Sequence, residues 1–203
     1  MFRHDEHFGG DRRLAVDTAS GLLSSARYLS SPNCDDRPFG QLPELLVVHG
    51  ISLPAGEFGG PWIDALFTNS LSVEQHPEFA DLADLRVSAH ALVRRDGEIV
   101  QYVPFDRRAW HAGRSVWLGR ERCNDFSIGI EVEGTDGGIY APAQYAALAR
   151  LVAALCRAYP SLSPGRMVGH SDIAIGRKSD PGIAFDWPLL RAMVSFELEV
   201  AAA

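Results

Sequence analysis

The sequence predicts a mixed α/β fold: one domain with a central mixed β-sheet flanked by α-helices. Three observations predict it. Leu45 to Val48 is a continuous apolar run, as in a strand buried on both faces. Asp96-Gly97 stands between two β-rich runs and marks a hairpin. Pro142 opens a segment whose apolar residues recur at helical spacing. Strands and helices in this order do not alternate regularly, which favours a mixed sheet over repeated βαβ units. A chain of 203 residues that is 46% hydrophobic suits a single domain over 1–203, with its core over about 13–190.

Residues 1–40 mix charge with Ser, Pro and Gly, and SSPNCDDRPFG reads as loop. The first long strand ends at His49, followed by Gly50, which has no side chain to crowd a cleft. PAGEFGGPW is a Gly/Pro loop. Pro61 starts a short helix there, with Trp62, Ala65 and Leu66 as its buried side. The hairpin follows, then a loop over 104–125, long enough inside a compact domain to suggest a functional role. Phe126 to Glu133 is a strand. Ile128, Ile130 and Val132 share one face, while Gly129, Glu131 and Glu133 share the other. Both glutamates point the same way, so alternation does not choose between them. Pro142 to Ala158 is a helix with Tyr145, Leu148, Leu151, Val152 and Leu155 as its core stripe, and Pro160 follows its end. Met167-Val168 is a short strand ending at Gly169-His170. Asp186 caps a last helix that carries Trp187 and Pro188 in its first turn, and the terminal VAAA frays.

Composition narrows the function. No apolar run approaches the ~18 residues that span a bilayer. The opening MFRHDEHFGGDRR lacks the apolar stretch of a secretory signal, so a cytoplasmic protein is expected. A net charge of −7 argues against nucleic acid as the main partner. The arginines at 86, 94, 95, 107, 108, 114, 120 and 122 are mostly solvated surface, with a few left to serve one anionic ligand. Cys34, Cys123 and Cys156 are odd in number and form no CxxC pair, which reads as free thiols. A monomer is expected.

Three separated segments carry the chemistry: LLVVHGIS, FSIGIEVEG and MVGHSDIAIGRKSDPG. Together they offer two histidines and a carboxylate, a zinc ligand set that leaves a coordination position for water. A glutamate and a lysine remain for the proton and the oxyanion. The motif HExxH is absent, which argues against a zincin protease. His4, His7 and His76 lie in polar contexts and read as solvated. His90 reads as a satisfied core histidine on the hairpin, and His111 as a side chain lining the cleft. Asp172, two residues after His170, is an alternative carboxylate ligand.

VVHGISLPAGEFGG, SAHALVRRDGEIVQYVPFDRRAWHAG, ERCNDFSIGIEVEGTD and GRKSDPGIAFDW are long, specific strings. Through them the chain resembles the N-acetylmuramoyl-L-alanine amidases related to phage T7 lysozyme and the peptidoglycan recognition proteins. Within that family it looks most like the cytoplasmic enzymes that act on 1,6-anhydro-N-acetylmuramoyl-L-alanine. The resemblance implies a peptidoglycan recognition protein-like fold and a zinc ion held by His49, His170 and Asp180. It implies Glu131 as general base toward the nucleophilic water and then proton carrier to the leaving amine; Glu133, on the same face, is read as structural or as a supporting neighbour. It implies Lys178 as a polariser of the scissile carbonyl. The implied substrate is an anhydromuropeptide, with Arg86 and Arg122 gripping carboxylates and Trp110 packing on the sugar. Action on intact peptidoglycan, or muropeptide binding without cleavage, are the alternatives. Two positions depart from the family pattern: Gly50, where relatives often carry Asn, and Ile175, where proline is common.

Overall fold

The structure, a computed structural model, describes residues 14–82 and 84–200. His4, His7 and the terminal residues 201–203 lie outside them, as does the opening segment read for a secretory signal.

Among the described residues, six strands form one sheet. They are β1 (Arg27–Tyr28), β2 (Leu45–Ile51), β3 (Ala91–Val93), β4 (Ile99–Gln101), β5 (Ser127–Glu133) and β6 (Met167–Gly169), in the spatial order β6-β2-β5-β3-β4-β1. All neighbours are parallel except β3 and β4, the predicted hairpin. Gly97 takes φ +89° in that turn and donates its N–H to the Arg94 carbonyl at 2.9 Å. Only glycine holds such a φ without strain.

The two faces of the sheet differ. One is apolar across β2, β3 and β5: Leu46 and Val48 of β2, Ala91 and Val93 of β3, and Ile128, Ile130 and Val132 of β5. It packs against helix α2 (Pro142–Ala158) and helix α4 (Trp187–Val200) through Leu148, Leu151, Val152, Leu190 and Val194. Each such buried side chain contributes about 1.5–3 kcal/mol. The helix ends follow the sequence. Gln144 Oε1 reaches back to the Ala141 N–H at 2.9 Å, and Asp186 Oδ1 accepts the Leu189 N–H at 2.9 Å.

The opposite face is apolar at its margins and polar at its centre. Helix α1 (Trp62–Phe67) covers one side, where Ile63, Leu66 and Phe67 join Phe79, Leu92, Val100 and Tyr102. The expected buried stripe of Trp62, Ala65 and Leu66 is therefore rotated by one residue. Trp62 stays half-buried at the rim, its ring 5.3 Å from Phe79. Residues 104–125 cover the other side. They include short strand pieces, Arg108–Ala109 against Cys34–Asp35, and Val116–Trp117 against Arg120–Glu121. Arg37 anchors this segment from beneath. Its guanidinium donates to the carbonyls of Phe105, Asn124, Asp125 and Ser127 at 2.9–3.2 Å. Burial pushes its pKa down to about 10.

Candidate active site

Three neighbouring strands bring the polar centre together. His49 and Glu131 are register partners across the parallel pair β2 and β5. Gly169 of β6 pairs with Val48, and His170 follows at once as the first residue of helix α3 (His170–Ile173). Asp180 arrives from the loop after α3. Its carbonyl accepts the Ser171 N–H at 3.0 Å, and Tyr140 Oη donates to the Pro181 carbonyl at 2.8 Å. The loop is thus tied to the histidine end of α3 on one side and to the core on the other.

His49 Nδ1 and His170 Nδ1 are 3.0 Å apart, and Asp180 Oδ2 is 3.2 Å from the first and 3.0 Å from the second. Three ligands on one tetrahedral ion at ~2.0–2.2 Å would stand roughly 3.3–3.6 Å apart. The triangle is within a few tenths of an ångström of that size, so these residues fit a metal ion. They are also a group among the described residues whose donor atoms converge in this way.

The electrostatics agree. Burial pushes His49 down to about 4, so its imidazole is neutral and has a lone pair to give. Glu131 is the opposite case. Burial, reinforced by the Asp180 charge and only partly offset by Lys178, raises its carboxyl well above the ordinary value. Its Oε2 is buried without a hydrogen-bond partner. An unsatisfied buried carboxylate oxygen is expensive and calls for a functional reason. The cavity it faces, about 200 Å³, is lined by His49, Gly50, His111, Glu131, His170, Lys178 and Asp180 with an apolar rim that includes Leu85 and Val87.

The two glutamates of β5 are now distinct. Glu133 is 1% exposed and fully engaged. It accepts the Gly59 N–H at 2.7 Å and the Arg95 N–H at 3.1 Å, and lies 3.5 Å from Arg94 Nη1. It faces a separate, larger cleft of about 690 Å³, where Arg27 and Arg94 both pair with Asp64.

Other sequence expectations sort as follows. Asp172 is not in the converging group; its Oδ2 accepts the Gly169 N–H at 2.7 Å and caps α3. His90 is fully buried and satisfied: Gly129 N–H donates to its Nδ1 and its Nε2 meets the Arg107 carbonyl, both at 3.0 Å. His76 is half-buried against Phe79. His111 does line the cavity. Arg86, Arg122 and Trp110 do not line it, although Arg86 stands between Leu85 and Val87, and Trp110 precedes His111. The Arg122 side chain is 70% exposed and pairs with Asp125 at 3.1 Å. The Trp110 indole helps lower the Asp35 carboxyl, after the larger effect of Arg108. Gly50 has a local reason: a Cβ there would collide with the Tyr140 hydroxyl that holds Pro181. Ile175 is 87% exposed and does not line the small cavity. Sequence reasoning missed Tyr140 and Arg37, and neither carries a motif that would have singled it out.

The comparisons with known proteins point one way. The N-acetylmuramoyl-L-alanine amidase family matches residues 39–183. The 1,6-anhydro-N-acetylmuramyl-L-alanine amidase AmpD of Escherichia coli (strain K12) is 62% identical over 177 residues, covering 87% of this chain and 96% of that protein. A crystal structure of a selenomethionine AmpD derivative superposes with TM-score 0.85 at 60% identity, covering 88% of this chain and 98% of that one. The amidase AmiD of E. coli, solved with the substrate anhydro-N-acetylmuramic acid-L-Ala-D-γ-Glu-L-Lys, matches with TM-score 0.55 at 28% identity, covering 90% of this chain and 66% of that one. Among the described residues, no helix is long and apolar enough to cross a membrane.

Proposed function

This chain belongs to the N-acetylmuramoyl-L-alanine amidase family, as an amidase of the AmpD type, and from that premise we propose that it hydrolyses anhydromuropeptides with the help of zinc. The bond cut joins the lactyl group of 1,6-anhydro-N-acetylmuramic acid to L-alanine of the stem peptide. The setting we propose is peptidoglycan recycling in the cytoplasm, by a single-domain monomer. One observation carries the reading. His49, His170 and Asp180 converge on one point, and the unpartnered Glu131 carboxylate faces the same small cavity.

His49, His170 and Asp180 would hold the zinc, since two imidazole nitrogens and a carboxylate oxygen are donors zinc takes. When bound, zinc would supply Lewis acidity toward the scissile carbonyl and the nucleophilic water. Glu131 takes the proton from that water as it attacks and passes it to the departing L-alanine nitrogen. Its raised pKa suits both halves of the task, since it makes the carboxylate a stronger base toward the water and lets the resulting acid return the proton to the amine. Lys178 lines the cavity, and its ammonium stabilises the oxyanion that develops on the carbonyl. The cavity holds the reacting amide, and the rest of the ligand extends over the rim. There we keep Arg86 and Arg122 for the peptide carboxylates and Trp110 for the sugar.

The test is incubation of the purified, zinc-loaded protein with anhydro-N-acetylmuramoyl tripeptide and with its non-anhydro counterpart, followed by mass analysis. The expected result is free tripeptide released mainly from the anhydro form. Equal release from both would remove the recycling specificity. No release with zinc confirmed in the protein would overturn the assigned substrate.

A further inference from the structure

A chain of hydrogen bonds runs from the proposed metal site into the protein, and its direction is determined from the far end. Ser127 Oγ lies 2.6 Å from the Cys123 carbonyl oxygen and 3.1 Å from His111 Nε2. Two oxygens at 2.6 Å need a proton between them, and a carbonyl has none to give. The Ser127 hydroxyl therefore donates to Cys123, and its oxygen is left to accept from His111. That puts the His111 proton on Nε2 and leaves Nδ1 as an acceptor. His111 Nδ1 lies 2.9 Å from His49 Nε2. His49 must then carry its proton on Nε2, and its Nδ1, 3.2 Å from Asp180 Oδ2, is a bare lone pair. His170 Nε2 lies between an acceptor, the Ala112 carbonyl at 3.3 Å, and a donor, Arg177 Nη2 at 3.5 Å, and neither contact fixes its tautomer.

We propose that His111 is a positioning residue, which with Ser127 locks His49 into the one tautomer that can bind metal through Nδ1. The inference rests on the metal reading above and deepens it. Metal-binding histidines commonly have the second ring nitrogen held by a carboxylate, a carbonyl or water. Here the partner is another imidazole, which could serve as donor or acceptor. An imidazole alone would leave the His49 tautomer undecided, and Ser127 decides it. The sequence makes room for the device. Gly129 lies between Ser127 and Glu131 on the same face of β5, and a Cβ there would overlap the His111 ring. A glycine inside a strand often marks such a close approach.

Ser127→Ala separates this role from packing, because it removes one oxygen well away from the ligand atoms. His111→Asn presents an amide oxygen in place of Nδ1, an acceptor that needs no serine to set it. Zinc affinity of each folded variant is measured by competition with a chromogenic chelator. The His49 tautomer is read from ¹⁵N shifts in chelator-treated protein. Ser127→Ala is expected to weaken zinc binding about 10–100-fold and to give His49 a mixed tautomer. His111→Asn is expected to stay near wild type, and adding Ser127→Ala to it to change nothing further. Unchanged zinc affinity or an unchanged His49 tautomer in Ser127→Ala overturns the proposal. Failure of wild type to bind zinc at all would overturn the metal reading instead, while the tautomer measurement would still report on the chain.

Discussion

Glu131 stands directly opposite His49 in the parallel register of β5 and β2. The fold makes that pairing robust. A slip of one residue would turn Ile130 or Val132 into the cavity and both glutamates into the apolar core against α2, so burial on the other face holds the register. A proposed metal ligand and a proposed proton carrier are therefore positioned by the same backbone hydrogen bonds that build the sheet.

Replacing Glu131 by Gln keeps the shape and removes the base. Turnover of the muropeptide is expected to fall by about 10²–10⁴. Zinc content, measured by mass spectrometry of the intact protein or by elemental analysis, should stay at the wild-type level. Near-normal turnover would remove Glu131 from the chemistry.

Glu133 predicts the converse. Its carboxylate satisfies two backbone N–H groups and the buried Arg94 guanidinium. Glu133→Ala leaves these without a buried anion and should cost about 3 kcal/mol. For a domain of this size that lowers Tm by roughly 6–12 °C. The folded fraction should turn over substrate at close to the wild-type rate. A large loss of kcat with unchanged Tm would show that the two glutamates share the chemistry.

Much of the scaffold is legible in the sequence because its signals are local. Pro142 and Pro160 bracket α2, Asp186 caps α4, and the apolar run before His49 names β2. What is not legible depends on packing between distant segments. Alternation puts Glu131 and Glu133 on one face, and only the Gly59 and Arg95 amides, brought from two other loops, distinguish them. The buried stripe of α1 is one residue from the expected one because 62-65-66 and 63-66-67 have the same helical spacing, and Phe79 decides between them. That His111 lines the cleft is legible, but its contact with His49 depends on how the irregular segment 104–125 packs on the sheet. Gly129 was the available clue, and it means nothing until the ring beside it is known.

Lys178 should act on the transition state more than on the ground state. It is the one lysine or arginine among the residues lining the small cavity. Lys178→Met is expected to lower kcat about 10²–10³-fold, the usual effect of removing one oxyanion donor, with KM changed little. A rise in KM with kcat intact would instead make Lys178 a residue that binds the peptide carboxylates.

Acid should destabilise the fold through buried neutral histidines, and His90 offers the cleanest measure. Burial lowers its pKa from 6.5 to about 3. The sign follows from proton counting. Between those two values the unfolded chain binds a proton on this group and the folded chain does not. The stability it supports is present above pH 6.5 and is lost as pH falls toward 3, at up to about 1.4 kcal/mol per pH unit. His90→Asn keeps an acceptor for the Gly129 N–H but cannot titrate. Urea unfolding between pH 6 and 4 should give a shallower pH slope for the variant by about that amount, whatever its absolute stability. Parallel slopes would mean that His90 protonates in the folded protein.

Zinc itself should stabilise the fold measurably, because its three proposed ligands come from β2, the start of α3 and the loop after it. An ion that binds only when these segments are together stabilises the native state by about 2.7 kcal/mol at a free concentration one hundred times its dissociation constant. That corresponds to a Tm rise of roughly 5–10 °C over chelator-treated protein. Asp180→Asn removes the anionic ligand while keeping the shape of the loop, so its metal-dependent shift should shrink sharply. Glu131→Gln leaves all three ligands in place, and its shift should match wild type. If Asp180→Asn kept the full shift, or calorimetry placed the bound ion elsewhere by surviving His49→Ala, the converging triangle would not be the metal site. The comparison of Asp180→Asn with Glu131→Gln therefore separates holding the ion from using it, two roles that activity measurements alone would merge.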